Sequence, residues 1–132
     1  MVEIIEIKTS KRMEFIDITE RLNSFIRSSG IKDGICFIHV PHTTAAVTIN
    51  ENADPDVTND IISKLTRLIP SSDNYAHIEG NSDAHIKSSL FGQTLNLMIE
   101  GGKLLLGIWQ GVYFCEFDGP RTRKVYLKLH NN

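Results

Sequence analysis

Residues 75–92 hold more reactive side chains than a folded surface needs. They run Tyr75-Ala76-His77-Ile78-Glu79-Gly80-Asn81-Ser82-Asp83-Ala84-His85-Ile86-Lys87-Ser88-Ser89-Leu90-Phe91-Gly92. A second group, His39-Val40-Pro41-His42-Thr43-Thr44, stands where an apolar strand should end, and Asn50-Glu51-Asn52 follows the next strand. Strand ends and helix N-termini are places where side chains can face a cleft while the scaffold stays rigid. His42, His77 and His85 are the candidate metal ligands, because neutral imidazoles suit zinc and other divalent ions. Their spacing matches no local motif, and the ordinary alternative is that each caps a strand or makes one hydrogen bond.

Glu51 and Glu79 are the candidate general acid or base groups, with a solvated surface role as the alternative for each. Asp83 lies two residues before His85. On a helix those positions point about 200° apart, so both cannot aim at one ion from a helix interior. Asp83 could instead cap the helix, and Asn81 and His85, four apart, could share its face. Arg121 follows the turn Asp118-Gly119-Pro120 and could grip phosphate or carboxylate through two bonds. Arg121-Thr122-Arg123-Lys124 otherwise reads as a solvated basic rim. Trp109 and Gln110 lie between Gly107 and Gly111. Trp109 is either core filler or a wall that stacks on a planar ligand. His39 shares a strand face with Ile35 and Phe37 and reads as a core or interface residue, while His130 reads as exposed. Gly80-Asn81 lacks the spacing of a phosphate-binding loop or a dinucleotide fingerprint.

These groups need elements to position them. Val2–Ile7 and Met13–Ile18 alternate as half-buried strands. Thr19 is the expected N-cap of a helix over Glu20–Ser29 that Gly30 ends. Ile35–Val40 and Ala45–Ile49 are apolar strands expected to be adjacent. Asp54-Pro55-Asp56 starts a helix, with Val57, Ile61, Ile62, Leu65, Leu68 and Ile69 at helical spacing and Pro70 as the stop. Ser82 is the expected cap of a short helix to Leu90, with Gly92 as its terminator. Thr94–Ile99, Lys103–Ile108, Val112–Phe117 and Lys124–Leu129 read as strands, with Gly101-Gly102 as a hairpin turn. The order implies an α+β fold with mostly antiparallel strands and helices on or beside the sheet.

The chain has 132 residues, which suits one domain spanning 1–132. That length buries roughly two thirds of the unfolded surface. A formal net charge of -2 gives no bulk attraction to nucleic acid or an anionic membrane. No apolar run approaches the ~20 residues that span a bilayer, and the N-terminus shows no secretory pattern, so a cytoplasmic protein is expected. Cys36 and Cys115 lie in apolar strands and read as buried thiols; an inter-strand disulfide is the weaker alternative and a nucleophile the weakest.

Several of these residues follow the order found in one family. They are His42-Thr43-Thr44-Ala45, Ile49-Asn50-Glu51-Asn52, Asp54-Pro55-Asp56-Val57, His77, and Glu79 through His85. Gly107-x-Trp109-Gln110 and Glu116-Phe117-Asp118-Gly119-Pro120-Arg121 complete the series. The chain resembles YjbQ-like proteins, often labelled secondary thiamine-phosphate synthase, over nearly its whole length. The resemblance implies a compact, sandwich-like α+β domain, a homotrimer, and a metal site at His42, His77 and His85. It implies catalytic roles around that site for Glu51, Asn81, Asp83 and Arg121. It makes Trp109, Gln110 and Arg121 contacts for a small phosphorylated substrate, with Trp109 and Arg121 open to completion across a subunit boundary. The implied activity is weak: a pyrimidine-methyl pyrophosphate is joined to a thiazole phosphate and pyrophosphate leaves. Zinc suits a three-histidine site, whereas magnesium suits pyrophosphate chemistry but prefers oxygen ligands. A metal- or metabolite-binding oligomer without catalysis is the alternative.

Overall fold

Period-two alternation makes β1 (Glu3–Lys8) and β2 (Glu14–Asp17), and helical periodicity makes α1 (Thr19–Ser29). A computed structural model of the chain describes residues 2–132. The order continues with β3 (Asp33–His39), β4 (Ala45–Glu51), α2 (Pro55–Leu68) and α3 (Ser82–Phe91). It ends with β5 (Thr94–Glu100), β6 (Lys103–Leu104), β7 (Gln110–Glu116) and β8 (Thr122–Asn131).

All of the strand pairings are antiparallel. One sheet has the order β1-β8-β3-β5-β6 and the other β2-β7-β4. The result is a single α+β domain of two curled sheets, as the strand pattern and the resemblance imply. The expected adjacency of β3 and β4 is corrected. β3 already has β8 on one side and β5 on the other, with Phe37 opposite both Lys128 and Asn96. No edge is left for β4, so the chain turns at Pro41 and crosses to the second sheet. Apolar content marks both strands as buried but does not say which sheet each joins.

Between the sheets lies the main core. Ile38, Val40, Val125 and Leu127 face Val47, Val112 and Phe114, and α1 adds Leu22 and Ile26. β7 is covered on both faces: Tyr113, Cys115 and Phe117 pack on the opposite side with Ala46 and with Ala84 of α3. Each fully buried aliphatic or aromatic side chain there contributes about 1.5–3 kcal/mol of burial.

The ends of the helices follow local chemistry, with two differences. Asp54 caps α2 by accepting from the Asp56 N–H at 2.9 Å, and Pro55 takes the first helical position. Thr19 is the first residue of α1, not its cap. Asp17 Oδ1 accepts from the Thr19 N–H at 2.9 Å, and the Thr19 hydroxyl accepts from the Val112 N–H at 2.8 Å, fixing α1 to β7. The expected strand Lys103–Ile108 shortens to Lys103–Leu104. The Gly101-Gly102 turn has φ values of 62° and 79°, the left-handed region a two-residue hairpin demands. α2 buries none of its residues fully; Val57, Ile61, Ile62 and Leu65 are only half-covered. No helix among the described residues is long and apolar enough to cross a membrane.

Candidate functional site

The start of α3 is anchored by charge. Asp83 is completely buried, and its two oxygens accept from Arg12 Nη1 and Nη2, both at 3.0 Å. Lys87, one turn on and 1% exposed, donates to Asp83 Oδ2 at 2.8 Å. Burial alone would raise the Asp83 pKa, but the Arg12 and Lys87 bonds outweigh it and hold the carboxyl below its ordinary value. A carboxylate so enclosed is a poor general base. It holds the helix that carries His85.

Asn81 occupies the cap position of α3, where Ser82 was expected, and makes no side-chain capping bond. Its backbone carbonyl accepts from the Ala84 and His85 N–H groups. Its Nδ2 donates to Asp118 Oδ2 at 2.9 Å, and Arg121 Nη2 donates to the same oxygen at 3.0 Å. Asn81 Oδ1 is buried and accepts from nothing among the described residues. Buried acceptors are nearly always paired, so this one has room for a donor from water or a ligand.

Beneath that group lies a second buried ion pair. Arg123 donates to Glu116 through Nε, at 2.9 Å, and Nη2, and its Nη2 also reaches Thr44 Oγ1 at 2.8 Å. Thr9 Oγ1 donates to Glu116 Oε1 at 2.7 Å, and the Asp118 N–H donates to Glu116 Oε2 at 3.0 Å. The solvated-rim reading of residues 121–124 is therefore corrected for Arg123, which turns inward between the sheets. Arg121 and Lys124 remain exposed.

The histidines divide. His77 and His85 meet edge-to-face with ring centroids 5.4 Å apart, and His77 Nε2 lies 3.7 Å from Glu79 Oε2. His85 lines two neighbouring cavities. One, of about 320 Å³, is shared with Tyr75, His77 and Ile86. The other, of about 440 Å³, is walled by His39, His42, Thr43, Ser89 and Gln93 and has no acidic residue in its lining. His42 is half-buried, and its Nε2 accepts from the Lys124 backbone N–H at 2.9 Å. Burial, then the neighbouring Arg123 charge, lowers its pKa below the ordinary histidine value. No three His, Cys, Asp or Glu side chains among the described residues gather as one metal-binding set. Within one chain the three-histidine set does not fit an ion; His77 and His85 offer two donors.

Glu51, Trp109 and Gln110 stand elsewhere. Glu51 pairs with Gln110 at one end of β4 and β7, while Ala45 pairs with Glu116 at the other. Six residues of strand separate those ends by roughly 20 Å. Trp109 is 61% exposed, so the core-filler reading is corrected, and Ile108 beside it is 89% exposed. Gln110 Oε1 accepts from the Gly107 N–H at 2.7 Å, closing its own turn. The core alternative for His39 is also corrected: Phe37 and His39 lie on the exposed outer face of the five-stranded sheet, where His39 Nδ1 sits 3.2 Å from Thr94 Oγ1. Cys36 and Cys115 are free and buried, and burial raises both thiol pKa values, that of Cys36 to about 11.

Pattern reading passed over Arg12, Thr9 and Glu116 as site-builders. Lys87 had a legible signal, an acid four residues before a lysine on one helix. Arg12 had none, since its partner lies 71 positions away.

Comparison with known proteins agrees with this architecture. Residues 3–132 match the family described as UPF0047 protein YjbQ-like. UPF0047 protein MJ1081 of Methanocaldococcus jannaschii is 59% identical, covering 94% of this chain and 90% of that protein. UPF0047 protein YugU of Bacillus subtilis is 49% identical over 98% of both. A YjbQ/UPF0047 family protein from Clostridium acetobutylicum superposes with a TM-score of 0.94 at 52% identity, over 97% of this chain and 99% of that one. A protein of Sulfolobus solfataricus described as of unknown function gives 0.93 at 32% identity, over 100% and 97%.

Proposed function

We propose that this chain, which belongs to the UPF0047 protein YjbQ-like family, binds a small phosphorylated metabolite and acts on it with the help of a divalent metal. The observation that carries the reading is the cavity between the β3–β4 loop and α3. It is lined by imidazoles, hydroxyls and an amide, with no carboxylate to repel an anion. Lys124 extends the basic character of the nearby strand end, and Arg121 stands at the neighbouring turn. An ion held by His77 and His85, completed by donors from outside the chain, would neutralise a leaving pyrophosphate.

The reaction is the thiamine-phosphate synthase type. The bond from the pyrimidine methylene carbon to a pyrophosphate oxygen breaks, and the thiazole nitrogen bonds to that carbon. The electron pair of the broken bond leaves with pyrophosphate. Arg121 would steady a phosphate, and Trp109 would stack on a ring if a second copy brings it to the cavity. A homotrimer, which the family resemblance implies, is the proposed assembly; the exposed Ile108-Trp109 tip, at the end of β7 opposite Glu116, is a surface that a second copy would cover. Buried free thiols suit a reducing, cytoplasmic setting.

Incubation with a pyrimidine-methyl pyrophosphate and a thiazole phosphate, with zinc or magnesium, tests the reaction through pyrophosphate release. Slow release that His85→Ala abolishes is expected. Release unaffected by His85→Ala, in a folded variant, overturns the mechanism. One observation favours a second reading, a binding oligomer without catalysis: Asp83 and Glu51, two of the three candidate carboxylates, are ill-placed for proton transfer, which leaves only Glu79 beside His77. Asp83 is locked in its ion pairs and Glu51 stands at the far end of the sheet. Saturable binding of the thiazole phosphate with no product over long incubation would select it.

A further inference from the structure

We infer that His42 is a neutral imidazole that donates from Nδ1 to a phosphate oxygen of the bound ligand, and that it does not ligate the metal. The inference deepens the phosphorylated-ligand reading above and rests on it.

The geometry begins in the sheet. β3 pairs with β8 from Asn131 back to Tyr126, opposite His39, and then the chain leaves the ladder at Val40 and Pro41. Two residues further along β8, the Lys124 N–H loses the strand acceptor it would otherwise meet. The His42 ring replaces it, with Nε2 accepting that N–H at 2.9 Å. An imidazole nitrogen that accepts from an amide carries no proton, so in the neutral ring the proton must sit on Nδ1.

Nδ1 has no partner among the described residues, yet it is not among the buried unpaired atoms. It is therefore a donor open to solvent on a ring that lines the cavity. Metal ligation at Nδ1 would leave both nitrogens without protons, an imidazolate, unless the Lys124 bond broke. Ligation at Nε2 would displace that bond and leave a strand N–H unpaired. A ligand oxygen accepting from Nδ1 costs neither. The lining fits an oxyanion: Thr43 adds an exposed hydroxyl, and no acid faces the site.

Two-bond proton–nitrogen NMR of the wild type, with and without one equivalent of zinc, reads the tautomer directly. Titration calorimetry of wild type, His42→Gln and His85→Ala with zinc and with inorganic pyrophosphate reads the role. Gln retains an acceptor for the Lys124 N–H, and with that bond kept its own amide NH2 group does not stand where Nδ1 stood. The expected results are a protonated Nδ1 that zinc leaves in place, zinc binding lost in His85→Ala and kept in His42→Gln, and pyrophosphate affinity about tenfold to a hundredfold weaker in His42→Gln. A bare Nδ1 in the wild type, or zinc lost in a folded His42→Gln, overturns the inference. Equal pyrophosphate affinity in wild type and His42→Gln also overturns it while leaving the phosphorylated-ligand reading standing. Absence of pyrophosphate binding by the wild type overturns both.

Discussion

Arg12 and Asp83, 71 residues apart, meet through two parallel hydrogen bonds of 3.0 Å each, and this pair ties the β1–β2 turn to the first turn of α3. Asp83 is fully buried while the Arg12 side chain is 39% exposed, so the carboxylate depends on the pair more than the guanidinium does. Removing Arg12 leaves a buried charge with Lys87 as its remaining cation. Arg12→Ala should cost about 1–3 kcal/mol, less than the roughly 3–5 kcal/mol of a buried charge left wholly uncompensated, because Lys87 still holds Asp83 and Arg12 is partly exposed. Arg12→Lys should recover part of it, since one of two bonds survives. Urea denaturation of the three proteins reads the difference; a loss under ~1 kcal/mol in Arg12→Ala would show the pair to be ornamental.

The Glu116–Arg123 pair lies between the sheets, and each partner holds other groups: Thr9 and the Asp118 amide on one side, Thr44 on the other. Either Glu116→Leu or Arg123→Met alone should destabilise by several kcal/mol, about 3–5. The double substitution should lose less than the sum, because no uncompensated charge remains. Thermal unfolding of the four-member cycle measures the coupling, and additive losses would deny it.

Protonation should report on His42. Its pKa in the fold lies below the ordinary value near 6.5 that the unfolded chain keeps. As pH falls, the unfolded chain therefore takes up the proton first. The ring's contribution to stability is complete above about pH 6.5 and declines below it until the folded ring also protonates. His42→Gln should remove that part of the pH dependence. Denaturation midpoints compared between pH 5 and 8 test it, and matching slopes in both proteins would contradict the assignment.

Neither thiol should react in the native protein. Cys36 and Cys115 are both buried, and Cys36 is pushed up to about 11, so thiolate is scarce at neutral pH. Well under one thiol per chain should be modified by a disulfide reagent at pH 7.5, rising to two in denaturant. Fast labelling without denaturant would mean that one of the strands opens.

The tip residue Ile108 has almost no cover from its own chain. In the proposed trimer a neighbour covers it, so Ile108→Asp should lower the sedimentation mass towards that of a monomer while leaving the circular dichroism unchanged. A wild type that sediments as a monomer would remove the assembly from the proposal.

Features that depend on near neighbours are legible in the order of residues. Asp54 and Pro55 start α2, Gly101-Gly102 turns the β5–β6 hairpin, and alternation marks β1 and β8. The residue types from His77 to His85 also mark that segment as chemically dense. Tertiary structure alone decided the rest. It assigned β3 and β4 to different sheets, turned Arg123 inward, locked Asp83 to Arg12, gave His42 a backbone partner 82 positions away, and set Glu51 and Trp109 at the far end of the strands from Asn81. The physical reason is range. Caps, turns and side-chain periodicity are set within about four residues, the reach of local hydrogen bonds and of one helical turn. Sheet membership and the partner of a buried charge depend on which surfaces remain free once the whole chain has packed, and no local pattern records that.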